Sequence, residues 1–260
     1  EITTRLVGSE MCIRDREKDW LKVRGHEIAM IMQDPMTSLN PLKTIGDQIM
    51  EAVELHQHLK GKAAREKTLE YLRDVGIADP EVRFAQYPHE FSGGMRQRVV
   101  IAIAVACNPQ ILICDEPTTA LDVTIEAQIL RLMKELRDET GMSVLIITHN
   151  MGVVAEICDY VYVMYAGKIM EQAETFELFD HTMHPYTKGL LDSIPRIGQN
   201  AERLHTIPGV VPNLLHLSQG CPFSNRCEYA TDQCRTEKAQ LHPVAPDHQV
   251  RCFRCEEEHQ

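Results

Sequence analysis

Apolar residues in this chain gather into short blocks set apart by polar, helix-patterned stretches. HEIAMIM (26–32) is a short apolar run that ends at Gln33-Asp34-Pro35, as a buried strand running into a loop would. KAAREKTLEYLRDVG follows with Ala64, Thr68, Leu72 and Val75 on one stripe and Gly76 as a C-terminal stop, which predicts an amphipathic helix. FSGGMRQRVVIAIAVACNP reads as a glycine turn opening a mostly buried helix that stops before Pro109. ILICDE is strand-like. TIEAQILRLMKELRDETG places Ile125, Ile129, Leu132 and Leu136 inward and ends at Gly141, another helix. SVLIITH and DYVYVMYAG read as two further strands. Continuously apolar strands alternating with helices predict an α/β fold, a parallel sheet covered on both faces.

Past about residue 180 the texture changes: proline, histidine and cysteine become frequent and the long apolar runs stop. A boundary is expected near His181, with a separate C-terminal domain over 181–260. Residues 1–16 have neither helical nor strand period and resemble a segment fused to translated sequence assemblies, so they are expected to be a non-native tail.

Composition narrows the classes. A 43% hydrophobic and 25% charged composition is that of a globular protein. With 27 Lys and Arg against 38 Asp and Glu the formal net charge is −11, which argues against nucleic acid as the main partner. The longest purely apolar run, VVIAIAVAC (99–107), is far shorter than a membrane span, and the start lacks the apolar segment of a secretory signal. A cytosolic chain whose membrane association comes through a partner is expected. Its nine cysteines then point to buried thiols or metal ligation rather than disulfides.

Two segments carry candidate chemistry. Asp115 and Glu116 follow four apolar residues, and ligands of open α/β sheets gather at the carboxyl ends of the strands. One acid there suits Mg²⁺, and the next suits polarising a water for phosphoryl transfer. The plainer reading is solvated acids at a strand end. In FSGGMRQR (91–98), Ser92 suits a helix cap, and Gly93 and Gly94 leave backbone N–H groups open to an anion; alone, this is an ordinary capped turn.

Together, FSGGMRQRVVIAIA and LICDEPTTALD closely resemble the signature and Walker B segments of ABC-transporter ATPases. Gln33 in IMQDPMTSLNP matches the family's Q-loop, Asp122 in TTALD its D-loop, and His149 in ITHN its switch histidine. Singly each has a duller explanation; five elements in the right order do not. Asn150 departs from the family's usual aspartate. QDPMTSLNP, DEPTTALDVTIEAQIL, MYAGKIME, HPYTKGLL and IPGVVPNL resemble the dipeptide and oligopeptide importer branch.

The resemblance implies a P-loop NTPase-like domain over 17–180, its helical subdomain at about 36–108, and the branch's cysteine-bearing C-terminal domain over 181–260. It implies ATP and Mg²⁺ as cofactors, Glu116 as catalytic base, Asp115 as Mg²⁺ holder, Gln33 as sensor and His149 as γ-phosphate contact. Ser92, Gly93, Gly94 and Asp122 would serve a nucleotide shared with a second ATPase subunit, identical or not. Two transmembrane permease subunits and, indirectly, an extracytoplasmic peptide-binding protein would complete the assembly at the cytoplasmic face of the plasma membrane. The function implied is ATP hydrolysis driving peptide import; import of nickel or another small solute stays open.

One part is missing. No G-x-x-x-x-G-K-[ST] occurs; Gly61-Lys62 is followed by Ala63. The chain is therefore expected to be an N-terminally truncated member lacking its first strands and phosphate loop, with negligible ATP affinity alone. A catalytically silent iron–sulfur pairing subunit is the alternative from another class.

The cysteines near the end fall as Cys221-x5-Cys227-x6-Cys234-x17-Cys252, with Cys255 close behind. Four thiolates from one irregular segment suit a [4Fe–4S] cluster first and Zn²⁺ second, with free thiols third; only Cys252-x2-Cys255 has the tight pairing zinc favours. The resemblance implies such a cluster as a structural staple. Cys12, Cys107, Cys114 and Cys158 are expected to be inert.

Overall fold

A computed structural model describes residues 20–258, apart from 21–22, 120, 195–205, 214, 216 and 218. The chain divides into two compact units, one ending at His149 and the other starting at Asn150. No described helix is long and apolar enough to cross a membrane.

In the first unit β1 (Ile28–Ile31) leads through α1 (Pro35–Ser38) into α2 (Ile45–His56), α3 (Gly61–Asp74), α4 (Pro80–Arg83) and α5 (Gly93–Ala106). Next come β2 (Ile111–Asp115), α6 (Val123–Thr140) and β3 (Ser143–Ile147). Thr44 caps α2 by accepting from Asp47 N at 3.2 Å, and the helix buries Ile45, Ile49, Ala52 and Val53. In α3 the expected stripe is the buried one: Ala64, Thr68 and Leu72, with Val75 just past the end. α2, α3 and α5 pack on one another, and α5 also meets β1, which is why α5 is buried nearly all round.

The three strands form a parallel sheet ordered β1-β2-β3, with Met30 opposite Ile113 and Ile113 opposite Leu145. One face carries Ala29, Ile31, Leu112 and Cys114, all buried. The other corrects an expectation. Ile28, Met30, Ile111, Leu145 and Ile147, with Met32 just beyond, are 36–50% exposed, so the described residues cover only one face of this sheet. Uninterrupted apolar sequence says that both faces are greasy; it does not say which residues cover them.

The second unit is built differently from expectation. It runs through α7 (Met151–Ile157), β4 (Tyr160–Tyr165), β5 (Lys168–Glu174), α8 (Thr175–Asp180), α9 (Pro185–Asp192), α10 (Asp232–Thr236), β6 (His242–Ala245), β7 (His248–Val250) and α11 (Phe253–Glu258). The strand expected in DYVYVMYAG is β4, yet it joins no parallel sheet. It pairs antiparallel with β5 in a four-stranded sheet ordered β4-β5-β7-β6. The cause is local: Ala166 and Gly167 both take positive φ, 48° and 75°, closing a two-residue hairpin between Tyr165 and Lys168. The buried pattern of β4 alternates, as a strand with one wet face does. Because Glu171 of β5 pairs with Val250 of β7, the boundary expected near His181 falls inside this unit.

Val154, Val161, Val163, Ala173 and Leu178 form one core of this unit, and Tyr165, Met170 and Phe223 a second. Between strands lies a buried polar group: Glu171 is 0% exposed and accepts from Met183 N at 2.7 Å and His184 N at 3.2 Å. His248, 1% exposed, sets Nε2 3.0 Å from Glu171 and Nδ1 3.2 Å from Glu177. Removing one partner and leaving the other buried and unsatisfied costs about 1–3 kcal/mol.

Two substitutions test this packing with opposite signs. The Phe84 ring fills the space a Cβ on Gly46 would take. Gly46→Ala gains at most about 1 kcal/mol of helix propensity and loses about 1–3 kcal/mol to overpacking. A lowered urea midpoint is expected. Ala166 instead sits strained at φ 48°, at a cost of about 1–2 kcal/mol. Ala166→Asn tolerates that conformation without glycine's entropy penalty and is expected to raise stability by about 0.5–1 kcal/mol in the same measurement.

Candidate functional site

β2 delivers Asp115 at its last position and Glu116 just beyond it. Glu116 takes φ 46°, a left-handed conformation rare outside glycine, and its N–H donates to Ile147 O at 2.8 Å. That bond continues the ladder to β3 for one more residue while the turn aims the carboxylate away from the sheet. The conformation costs about 1–3 kcal/mol, which the ladder bond and the contacts on the side chain offset.

Three side chains from different parts of the first unit meet on that carboxylate. Gln33, at the exit of β1, donates Nε2–H to Oε2 at 2.7 Å. Thr119, three residues on, donates its hydroxyl to the same oxygen at 2.8 Å. His149, at the exit of β3, sets Nδ1 2.9 Å from Oε1. The Thr119 hydroxyl first, then the His149 hydrogen bond, His149's charge and Gln33, hold the Glu116 carboxyl below the usual carboxylate range, against a smaller opposing effect of desolvation. Glu116 is 23% exposed on its side chain and His149 is 77% exposed, so the acid is held and still open to solvent. Such a group is ionised at neutral pH and able to accept a proton.

Sequence reasoning brought Gln33, Glu116 and His149 together and missed Thr119. The signal was the second threonine of EPTTALD, placed where a hydroxyl reaches back over the turn. Asp115 stands half-buried at the strand end with no side-chain hydrogen bond among the described residues. Its oxygens are free for a hard cation, so the residue fits Mg²⁺.

The other expected residues occupy helix starts. Asp122 caps α6, accepting from Ile125 N at 3.0 Å. Ser92 caps α5, accepting from Met95 N at 3.4 Å. A Cβ on Gly94 would lie 2.7 Å from Ile125 Cγ2, so the approach of α6 requires glycine there, whereas Gly93 is open. No hydrogen bond among the described residues joins Ser92, Gly93 or Gly94 to the Glu116 cluster.

The second unit holds the cysteines. Cys221, Cys227, Cys234 and Cys252 line one cavity, together with His184, Phe223 and Ser224. Cys221 N–H donates to Cys234 O at 2.8 Å, and Thr231 caps α10 through Cys234 N at 3.4 Å, so two turns set these thiols side by side. Burial, then the nearby thiols, push Cys221 up to about 11, and burial raises Cys227. Cys252 goes the other way, down to about 6, its sulfur hydrogen-bonded with the Cys255 side chain and the backbone N–H groups of Cys255 and Arg254.

Among the described residues no three ligating side chains surround a single ion position. The four cysteines border one cavity, and Ser224 Oγ beside it is buried with no hydrogen-bond partner. Four thiols are a donor set of the kind that iron–sulfur groups use. Cys255 is buried and donates its thiol to Met183 O at 3.6 Å rather than lining the cavity. Burial raises Cys107 to about 11 and Cys114 to about 12 and lifts Cys158, so these thiols are inert as expected; Cys12 lies outside the described residues.

Comparison with known proteins places these sites in a lineage. The ABC transporter family profile matches residues 7–119, taking in part of the stretch expected to be a foreign tail. The oligopeptide/dipeptide transporter C-terminal region matches residues 170–234. A probable peptide ABC transporter ATP-binding protein of Sinorhizobium fredii is 52% identical over 98% of this chain and 78% of its own length. The oligopeptide transport ATP-binding protein AppD of Bacillus subtilis is 51% identical over 93% of this chain and 74% of its own. Among solved structures, the post-hydrolysis dimer of the ATP-binding cassette MJ0796 with ADP and Pi matches with a TM-score of 0.55 at 28% identity, over 62% of this chain and 68% of that one. CbiO1 of Clostridium perfringens matches with a TM-score of 0.56 at 28% identity, over 64% of each chain. With this identity, and with the acid cluster at the end of β2, the chain belongs to the ABC-transporter ATP-binding subunits of the oligopeptide and dipeptide family.

Proposed function

We propose that this chain hydrolyses ATP to drive import of dipeptides or oligopeptides, as the peripheral subunit of a transporter on the cytoplasmic face of the plasma membrane. Its partners in this reading are a second ATP-binding subunit, two transmembrane permease subunits and, at one remove, an extracytoplasmic peptide-binding protein. The peptide and oligopeptide transport relatives suggest the cargo class. The observation that carries the chemistry is the meeting of Gln33, Thr119 and His149 on Glu116.

The roles follow from that geometry. Glu116 is the general base, accepting a proton from the water that attacks the terminal phosphate. His149 and Gln33 hold its carboxylate oriented, and both are free to re-aim their donors at phosphate oxygens when nucleotide arrives. Thr119, tied to the same turn, keeps the acid in place when those two let go. Asp115 holds Mg²⁺, which when bound neutralises charge on the phosphates. Ser92, Gly93 and Gly94 open the 14-residue helix α5, whose N-terminal N–H groups favour an anion. Their separation from Glu116 suits donation to a nucleotide held by the partner subunit, and Asp122 at the start of α6 belongs to the same shared edge.

The cysteine cavity is read as the seat of an iron–sulfur group that staples the C-terminal segment. Four thiols bordering one cavity, beside a buried hydroxyl with no partner, support that reading. A bound cluster would tie the start of α11 to the loops around Cys221, Cys227 and Cys234, where little apolar core is available.

Measured in the assembled transporter, in a chain that carries a phosphate loop, Glu116→Gln is expected to cut ATP hydrolysis by about 10²–10⁴-fold with nucleotide binding kept within a few-fold. Hydrolysis at the wild-type rate would remove the base from Glu116. Because the carboxyl is held low, the wild-type rate is expected to stay flat near neutrality and to fall on the acid side only as Glu116 takes up a proton. A steep loss between pH 8 and 6 would assign the base to a group other than this carboxylate.

A further inference from the structure

Ser224 and His184 are two buried polar side chains that border the cysteine cavity. Ser224 is 4% exposed, and its Oγ has no hydrogen-bond partner. His184 is 2% exposed and caps α9, its Nδ1 accepting from Tyr186 N at 3.0 Å. A ring nitrogen that accepts carries no proton, so the proton of the neutral ring sits on Nε2. Burial pushes the imidazolium down to about 4, so the ring is neutral under physiological conditions. Nε2–H makes no hydrogen bond among the described residues.

The backbone behind this histidine is clamped. Glu171 accepts from Met183 N and His184 N and is itself held by His248. Swinging this segment out would break the buried hydrogen bonds on Glu171. Leaving the Ser224 hydroxyl buried and unpaired carries a desolvation cost, and both residues border the same four-thiol cavity. The missing acceptor belongs in that cavity. Thiolate and sulfide sulfurs are acceptors.

We propose that Ser224 Oγ–H and His184 Nε2–H are hydrogen-bond donors to the sulfur atoms of the group held by Cys221, Cys227, Cys234 and Cys252, and that they raise its reduction potential without ligating it. The inference rests on the iron–sulfur reading of the cysteine box. Each donor favours the more negatively charged, reduced state, so each shifts the potential upward. Both are positioning residues.

The test uses the full chain purified without oxygen and reconstituted with ferrous iron and sulfide. Iron and sulfide content and the midpoint potential are measured for the wild type and for Ser224→Ala, His184→Leu and His184→Gln, the last retaining an N–H donor. Unchanged iron and sulfide in all four is expected. The potential is expected to move to more negative values in Ser224→Ala and His184→Leu, with His184→Gln lying closer to wild type. An unchanged potential in Ser224→Ala and His184→Leu at full iron content overturns the proposal. Loss of iron from His184→Leu alone, in a folded protein, overturns it by making the histidine a ligand. Should His184→Leu fail to fold, Ser224→Ala decides, since it removes one oxygen from an intact core. A wild type that takes up no iron and sulfide defeats the iron–sulfur reading itself, before any variant is compared.

Discussion

The candidate site depends on one carboxylate held ionised at the mouth of a strand. Glu116 is placed there by the β2–β3 ladder, turned by a left-handed residue, and surrounded by donors from a threonine on its own turn, a glutamine after β1 and a histidine after β3. Each strand of the parallel sheet thus contributes one group at its carboxyl end, as open α/β sheets do. The sheet is a frame that brings residues 33, 116 and 149 within hydrogen-bonding distance of one point. A change that shifts the strands by one residue moves all three.

The second unit solves a different problem. Its sheet is short, and its polar centre is a buried glutamate held by two backbone N–H groups and an imidazole. That centre fixes the turn carrying His184, and the turn in turn borders the four thiols. Stability and the proposed metal chemistry are therefore linked through Glu171: the group that makes the C-terminal hairpin hold also sets where a histidine donor points.

Some of this was legible in the sequence for definite reasons. The D-E pair and the two polar strand exits mark Gln33, Glu116 and His149, which the structure does bring together, while the S-G-G turn stays a helix cap apart from them. Ser92 and Asp122 could be read as caps because capping is a local property. Thr119 was hidden because its role depends on the reversed turn at Glu116, which no residue type announces. The β4–β5 hairpin was hidden behind an Ala-Gly pair, where the alanine gives no turn signal. The boundary placed near His181 tracked a change in loop content, while the actual pairing of β5 with β7 spans almost 80 residues and leaves no local trace. Likewise, apolar strands revealed the sheet but not that one of its faces would stay open among the described residues.

The central claim is that Glu116 and His149 work as one unit. It is tested most directly by a double-mutant cycle on ATP hydrolysis in the assembled transporter, in a chain that carries a phosphate loop, with His149→Ala, Glu116→Gln and the pair. If the two act together, the histidine change slows the wild type strongly and adds almost nothing once Glu116 is already glutamine. If the two losses multiply in the double variant, the carboxylate and the imidazole act independently, and the site described here is not the catalytic unit.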